Sequence, residues 1–177
     1  MSSLLLSALA KKFGNADLAA FSALHKGCWI VWEPGSWKPP TGRSVTSLIP
    51  MANVPMAAQA AKGGEALAFN LQPRNAAMAE VTLGRNDTCD LVINDATLSG
   101  VHLIFTPAAN GEWVVRDAGS SNGSVLDTKQ LAVGVNEPLR DTANLRAGHV
   151  LLTFCKPAGM LRRLKAASAL AALAGKR

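Results

Sequence analysis

Arg85, Ser99, Ser121 and Asn122 are the residues whose types and spacing could do chemistry, and that chemistry is the capture of a small anion. A phosphorylated side chain carries close to two negative charges and three strong acceptor oxygens. A guanidinium matches that geometry with paired donors. Hydroxyls and main-chain N–H groups can complete the cradle. Arg85 follows Gly84 at the end of an apolar stretch, where glycine permits a tight turn. Ser99 closes a loop that runs through Asp95-Ala96-Thr97-Leu98, and Ser121-Asn122 lies in a third loop. One cation, two hydroxyls and one amide reach the same edge if the intervening strands pair as neighbours.

Those strands are legible as short apolar runs. From residue 65 onward the candidates are 66–71, 79–83, 91–93, 101–106, 112–116, 124–126, 130–133 and 149–155. Turn signals separate them, among them Asn110-Gly111 between Phe105 and Trp113, a good hairpin turn. Regular short strands with such breaks predict an all-β sandwich or barrel. Residues 28–33, with Trp29, Ile30, Val31 and Trp32, add an earlier strand.

The ends of the chain read as helix. Leu6, Leu9 and Phe13 share one face, Gly14 is a plausible stop, and Asn15 a plausible N-cap for a second helix with Leu18, Phe21 and Leu24 on one face. Gly27 is the expected end of that helix. Pro157 opens a last helix over 158–174, where Met160, Leu164, Ala167, Ala171 and Ala174 can share a face. Residues 36–64 are rich in Pro, Gly and Ala and read as a long loop, a surface strap or an insertion. Pro39-Pro40 within it is a weak signal for a partner's ligand. The expected organisation is a helical extension over 1–27, a β-sandwich over 28–156 and a basic helix over 157–177.

The charge lies apart from the anion-binding residues. Lys156, Arg162, Arg163, Lys165, Lys176 and Arg177 account for the whole net charge of +6, and residues 1–155 carry 12 basic and 12 acidic side chains. A neutral body without aromatic-basic interleaving argues against a nucleic-acid binder. The tail is expected to be a helix packed on the sandwich with its charges in water, or a contact for an acidic partner, or a contact with membrane or nucleic acid, for which six charges over 22 residues are modest. Cys28, Cys89 and Cys155 have no metal-ligand or disulfide-framework spacing and read as buried, reduced thiols of a cytoplasmic protein. Three scattered histidines give no metal site, and no cofactor is expected. No apolar run approaches the ~20 residues of a membrane span. Met1–Ala10 lacks a preceding basic residue and is followed by Lys11-Lys12, which argues against a signal peptide.

The polar clusters, in this order and at these intervals, resemble the forkhead-associated (FHA) domain. Gly84-Arg85-Asn86-Asp87-Thr88-Cys89-Asp90-Leu91-Val92-Ile93 is similar to the family's segment into its first recognition loop. Ser99-Gly100-Val101-His102 matches its Ser-x-x-His, Asp117 to Ser124 resembles its Asp-x-x-Ser-x-Asn-Gly-Thr, and Leu145 to His149 resembles its final hairpin. The strong motifs cover about residues 80–156. The resemblance implies a sandwich of two antiparallel sheets that binds phosphothreonine peptides as an adaptor in Ser/Thr-kinase signalling. Its partner would be a Thr-phosphorylated protein, either a kinase or a kinase substrate. It implies that Arg85 and Ser99 contact the phosphate, that Ser121 donates a further hydrogen bond, and that Asn122 bonds the ligand backbone. Gly84, His102 and Gly123 are then structural, with His102 bracing the loops. Gly100 stands where the family often has Arg or Asn in contact with ligand, and Ser124 replaces Thr.

The sequence admits two other readings. The fold could serve as a phosphate-independent interaction module. Gly119-Ser120-Ser121-Asn122-Gly123 also fits the G-x-S-x-G nucleophile elbow, but that motif needs a helix after it, whereas Val125-Leu126 reads as strand. No enzymatic activity is expected.

Overall fold

The computed structural model describes residues 4–35, 64–75 and 77–174. The bulk of the 36–64 loop, including Pro39-Pro40, and the terminal Lys176 and Arg177 lie outside these residues.

Apolar runs and turn residues divide the chain into twelve strands and three helices among the described residues. The strands are β1 (Leu4–Leu5), β2 (Trp29–Trp32), β3 (Leu67–Asn70), β4 (Val81–Gly84), β5 (Leu91–Val92), β6 (Leu103–Pro107), β7 (Trp113–Asp117), β8 (Ser124–Leu126), β9 (Lys129–Gln130), β10 (Glu137–Leu139), β11 (Asn144–Ala147) and β12 (Val150–Cys155). The helices are α1 (Leu6–Phe13), α2 (Leu18–Leu24) and α3 (Pro157–Ala174). One sheet has the order β1-β3-β2-β12-β11-β8-β9, the other β10-β7-β6-β4-β5. The expected sandwich is present, with one departure from the antiparallel expectation: β4 and β5 pair in parallel, Leu83 opposite Leu91. A parallel pair normally needs a long crossover. Here β5 has only two residues, and the short link 85–90 makes the excursion that carries Arg85 out of the sheet.

Alternation explains the layers. Ile30 and Trp32 of β2 point between the sheets, where they meet Leu67, Phe69, Leu83, Phe105, Leu152 and Phe154. Trp29 and Val31 point the other way, onto Leu9, Phe13, Phe21, Met160 and Leu164. β2 is therefore buried on both faces and reads as an unbroken apolar run. The helices form a third layer on the back of the seven-stranded sheet, and β1 extends that sheet beside β3.

Several local expectations are revised. Asp17, not Asn15, caps α2, accepting from the Ala20 N–H at 2.7 Å. The helix ends at Leu24 with His25 as its C-cap, short of Gly27, and only Phe21 of its apolar trio is buried. Lys156, Arg162 and Arg163, at and just before the start of α3, are paired rather than simply in water, whereas Lys165 is exposed. Arg163 pairs with Glu33 of β2's end, Arg162 with Asp141, and Lys156 with Glu112. The acidic partner of these cations is the sandwich itself. Cys28, Cys89 and Cys155 are buried thiols, and burial pushes Cys28 up to about 11 and Cys155 up to about 12.

Candidate functional site

The three polar loops meet at one end of the sandwich because β4, β6 and β7 are neighbours in one sheet. The Arg85 N–H donates to the Ser99 carbonyl at 2.9 Å, and the Asn86 N–H to the Gly100 carbonyl at 3.0 Å. These bonds zip the β4–β5 and β5–β6 loops together. The base of the first loop is stapled by Asp90, whose carboxylate accepts from the Thr82 N–H and Oγ1, both at 2.8 Å. Burial opposes the ionised form of Asp90, but these hydrogen bonds and that from Arg74 outweigh it and hold its pKa below the usual value.

Gly84 is needed for close approach rather than for a turn. It is the last residue of β4, and a Cβ there would run into the Gly100 carbonyl. Gly123 has the left-handed φ of 69°, which a side chain rarely adopts, so its place in the Asn122-Gly123 turn is conformational.

His102 is the brace. It is fully buried; its Nδ1 accepts from the Ser99 N–H at 3.0 Å, while Nε2 lies 3.2 Å from the Gly123 carbonyl. A carbonyl only accepts, so Nε2 carries the proton and the ring is the neutral Nε2–H tautomer. Burial lowers its pKa, against the opposing pull of the Gly123 carbonyl and Asp117.

The β7–β8 loop is fastened at three points. Asp117 is buried and accepts from the Gly119 and Ser120 N–H groups and from the hydroxyls of Ser120 and Ser124. Its burial alone would raise the pKa, but those bonds lower it. The Ser121 N–H donates to the Ser99 hydroxyl at 3.0 Å. Asn122 Nδ2 donates to the Thr97 carbonyl at 2.7 Å, leaving its Oδ1 and second N–H. Ser121 and Asn122 remain exposed.

Arg85 is exposed, and its guanidinium forms no hydrogen bond among the described residues. Arg74, Arg116, Arg146, Arg162 and Arg163 all donate to a carbonyl or carboxylate of the protein. Arg85 thus stands exposed on the loop next to the fastened Ser99–Ser121–Asn122 rim. The segment after Ser121 is strand β8, where a nucleophile elbow has a helix. Among the described residues no group of three His, Cys, Asp or Glu is placed to hold a metal.

Thr97 is the site residue that motif spacing missed. Its N–H and hydroxyl donate to the buried Asp95 carboxylate, its Oγ1 accepts from the His149 N–H, and its carbonyl takes Asn122. The local signal was the Asp95-x-Thr97 turn pattern.

Residues 81–148 match the model of the FHA domain family. The FHA domain-containing protein FhaB of Mycolicibacterium smegmatis is 37% identical over 59 residues, which is 33% of this chain and 37% of that protein. The chain therefore spans little more than a third of that relative's length. Among solved structures, the N-terminal FHA domain of S. cerevisiae Rad53p, in complex with a phosphothreonine peptide, has 17% identity and a TM-score of 0.48 over 77% of this chain and 98% of that one. The FHA domain of an Arabidopsis thaliana protein has 20% identity and a TM-score of 0.48 over 73% of this chain and 85% of that one. Over residues 81–148, the chain is thus similar to the FHA domain family.

Proposed function

We propose that this protein is a phosphothreonine-peptide-binding adaptor, acting by recognition without turnover. The observation that carries this reading is the exposed Arg85 guanidinium, without a hydrogen bond among the described residues, beside a rim in which Ser99, Ser121 and Asn122 are tied to one another's loops. Arg85 supplies the charge-assisted fork to the phosphate. The Ser99 hydroxyl already accepts from Ser121, so its own proton is free to donate to a phosphate oxygen. The Ser121 hydroxyl adds a donor, and the remaining amide groups of Asn122 suit the peptide main chain. Gly84, His102 and Gly123 hold the loops.

The recognition body in this reading is residues 28–156, flanked by the extensions 1–27 and 157–177, whose helices α1 and α3 pack on the back of the seven-stranded sheet. Its partner is a Thr-phosphorylated protein, a Ser/Thr kinase or its substrate, as the phosphothreonine complex of Rad53p suggests. The site's neutral body supports local anion capture over a nucleic-acid footprint. A cytoplasmic setting agrees with three buried free thiols and with the finding that no helix among the described residues is long and apolar enough to cross a membrane.

The test is a degenerate peptide library in three matched forms: phosphothreonine, phosphoserine and unphosphorylated. Selection of phosphothreonine members is expected. Equal retention of all three forms overturns the reading in favour of a phosphate-independent module.

A further inference from the structure

Asn86 follows Arg85 in the same exposed loop. Its main chain is fully engaged: the N–H donates to the Gly100 carbonyl at 3.0 Å and the carbonyl accepts from the Cys89 N–H at 3.1 Å. Its carboxamide forms no hydrogen bond among the described residues. The backbone therefore fixes where the side chain leaves, and nothing in the described protein uses its donors or acceptor.

That side chain lies against Gly100. A Cβ placed on Gly100 would come within 2.8 Å of Asn86 Nδ2 and 3.0 Å of Cγ and Oδ1, its three nearest atoms. Gly100 does not have a left-handed φ, so its backbone does not call for glycine. The Asn86 carboxamide does. Gly100 is the gap that lets this uncommitted amide lie against the residue after Ser99.

We infer that Asn86 is a further ligand-contacting residue of the same site: its carboxamide hydrogen-bonds the bound phosphopeptide, and Gly100 is the space that admits it. The inference rests on the phosphopeptide reading above. An amide offers both donors and an acceptor, so it can meet a phosphate oxygen or a peptide main-chain group.

The test uses the full chain, the phosphothreonine peptide that the library selects, and the variants Asn86→Ala, Gly100→Ala and the double variant. The first deletes the carboxamide; the second displaces it while leaving it in the sequence. Each single change is expected to weaken binding about three- to tenfold, the worth of one or two hydrogen bonds. The double variant is expected to bind no more weakly than either single, because both remove the same contact. Melting temperatures should stay at the parent value. Parent-like binding by Asn86→Ala overturns the inference, as do additive losses. Losses tracking a lowered melting temperature also overturn it and mark Asn86 as a loop brace. An unaltered chain that ignores phosphate overturns both this inference and the functional reading; one that binds phosphothreonine with Asn86→Ala unaffected overturns the inference alone.

Discussion

The Ser121 N–H donates to the Ser99 hydroxyl oxygen at 3.0 Å, so the side chain expected to meet the phosphate also fastens the loop that carries its neighbours. Ser99→Ala therefore removes a ligand donor and strands the Ser121 N–H. We predict about tenfold weaker phosphopeptide binding together with a stability loss of about 1 kcal/mol. Calorimetric titration and denaturant unfolding of the same variant check both parts.

His102 makes stability depend on pH. Its Nδ1 must stay unprotonated to accept from Ser99, and protonation would set two N–H donors against each other. The folded-state pKa is lowered below the ordinary 6.5 by burial. The unfolded chain thus binds the proton first, and the contribution is complete above pH 6.5 and lost as pH falls through the lowered folded value. His25, also lowered by burial, acts in the same direction, so the difference must be read against a variant. Asp90 and Asp117 are lowered from 3.8 and lose their contribution only at more acidic pH. Melting temperature from pH 8 to 5 should fall less steeply in His102→Gln than in the parent. Equal slopes would remove His102 from the account.

Asp117 is the anchor of the β7–β8 loop. Asp117→Ala leaves the Gly119 and Ser120 N–H groups and two hydroxyls without their acceptor. We expect a loss of roughly 2–3 kcal/mol in urea unfolding, because charge-assisted bonds are the strong ones. Phosphopeptide affinity should fall as well, since Ser121 and Asn122 hang on the same loop.

The α3 ion pairs serve the fold and not the site. Arg163 donates to both Glu33 oxygens across the back of the sheet. Arg163→Ala should cost about 1 kcal/mol of stability, the scale of a partly exposed pair. Peptide affinity should be unchanged, and a drop in affinity without a drop in stability would contradict this assignment.

The sandwich was readable where strands are long and apolar. β6, β7 and β12 follow from Phe105, Trp113 and Phe154 in runs bounded by turn residues, within about two residues of the observed ends. β10 escaped because Glu137 and Pro138 break the β pattern; an edge strand tolerates that proline beside β7. β1 is hidden in the sequence, since two leucines ahead of an apolar helix carry no period of their own. The motif residues Arg85, Ser99, Ser121 and Asn122 stand out by type and interval, and the fold brings their loops together. Thr97 and Asn86 were not readable as site residues. Their roles depend on a carbonyl and a glycine gap that only the paired loops create.

The most direct measurement compares the parent and Arg85→Ala with the selected phosphothreonine peptide and its unphosphorylated counterpart, by calorimetric titration at one salt concentration. Because the Arg85 guanidinium makes no bond within the described protein, the variant should keep the parent melting temperature. The account predicts that the parent prefers the phosphorylated peptide and that Arg85→Ala loses this preference, with affinity reduced about 100-fold, as for the loss of a bidentate charged contact. Undiminished phosphopeptide binding by a folded Arg85→Ala protein would contradict it.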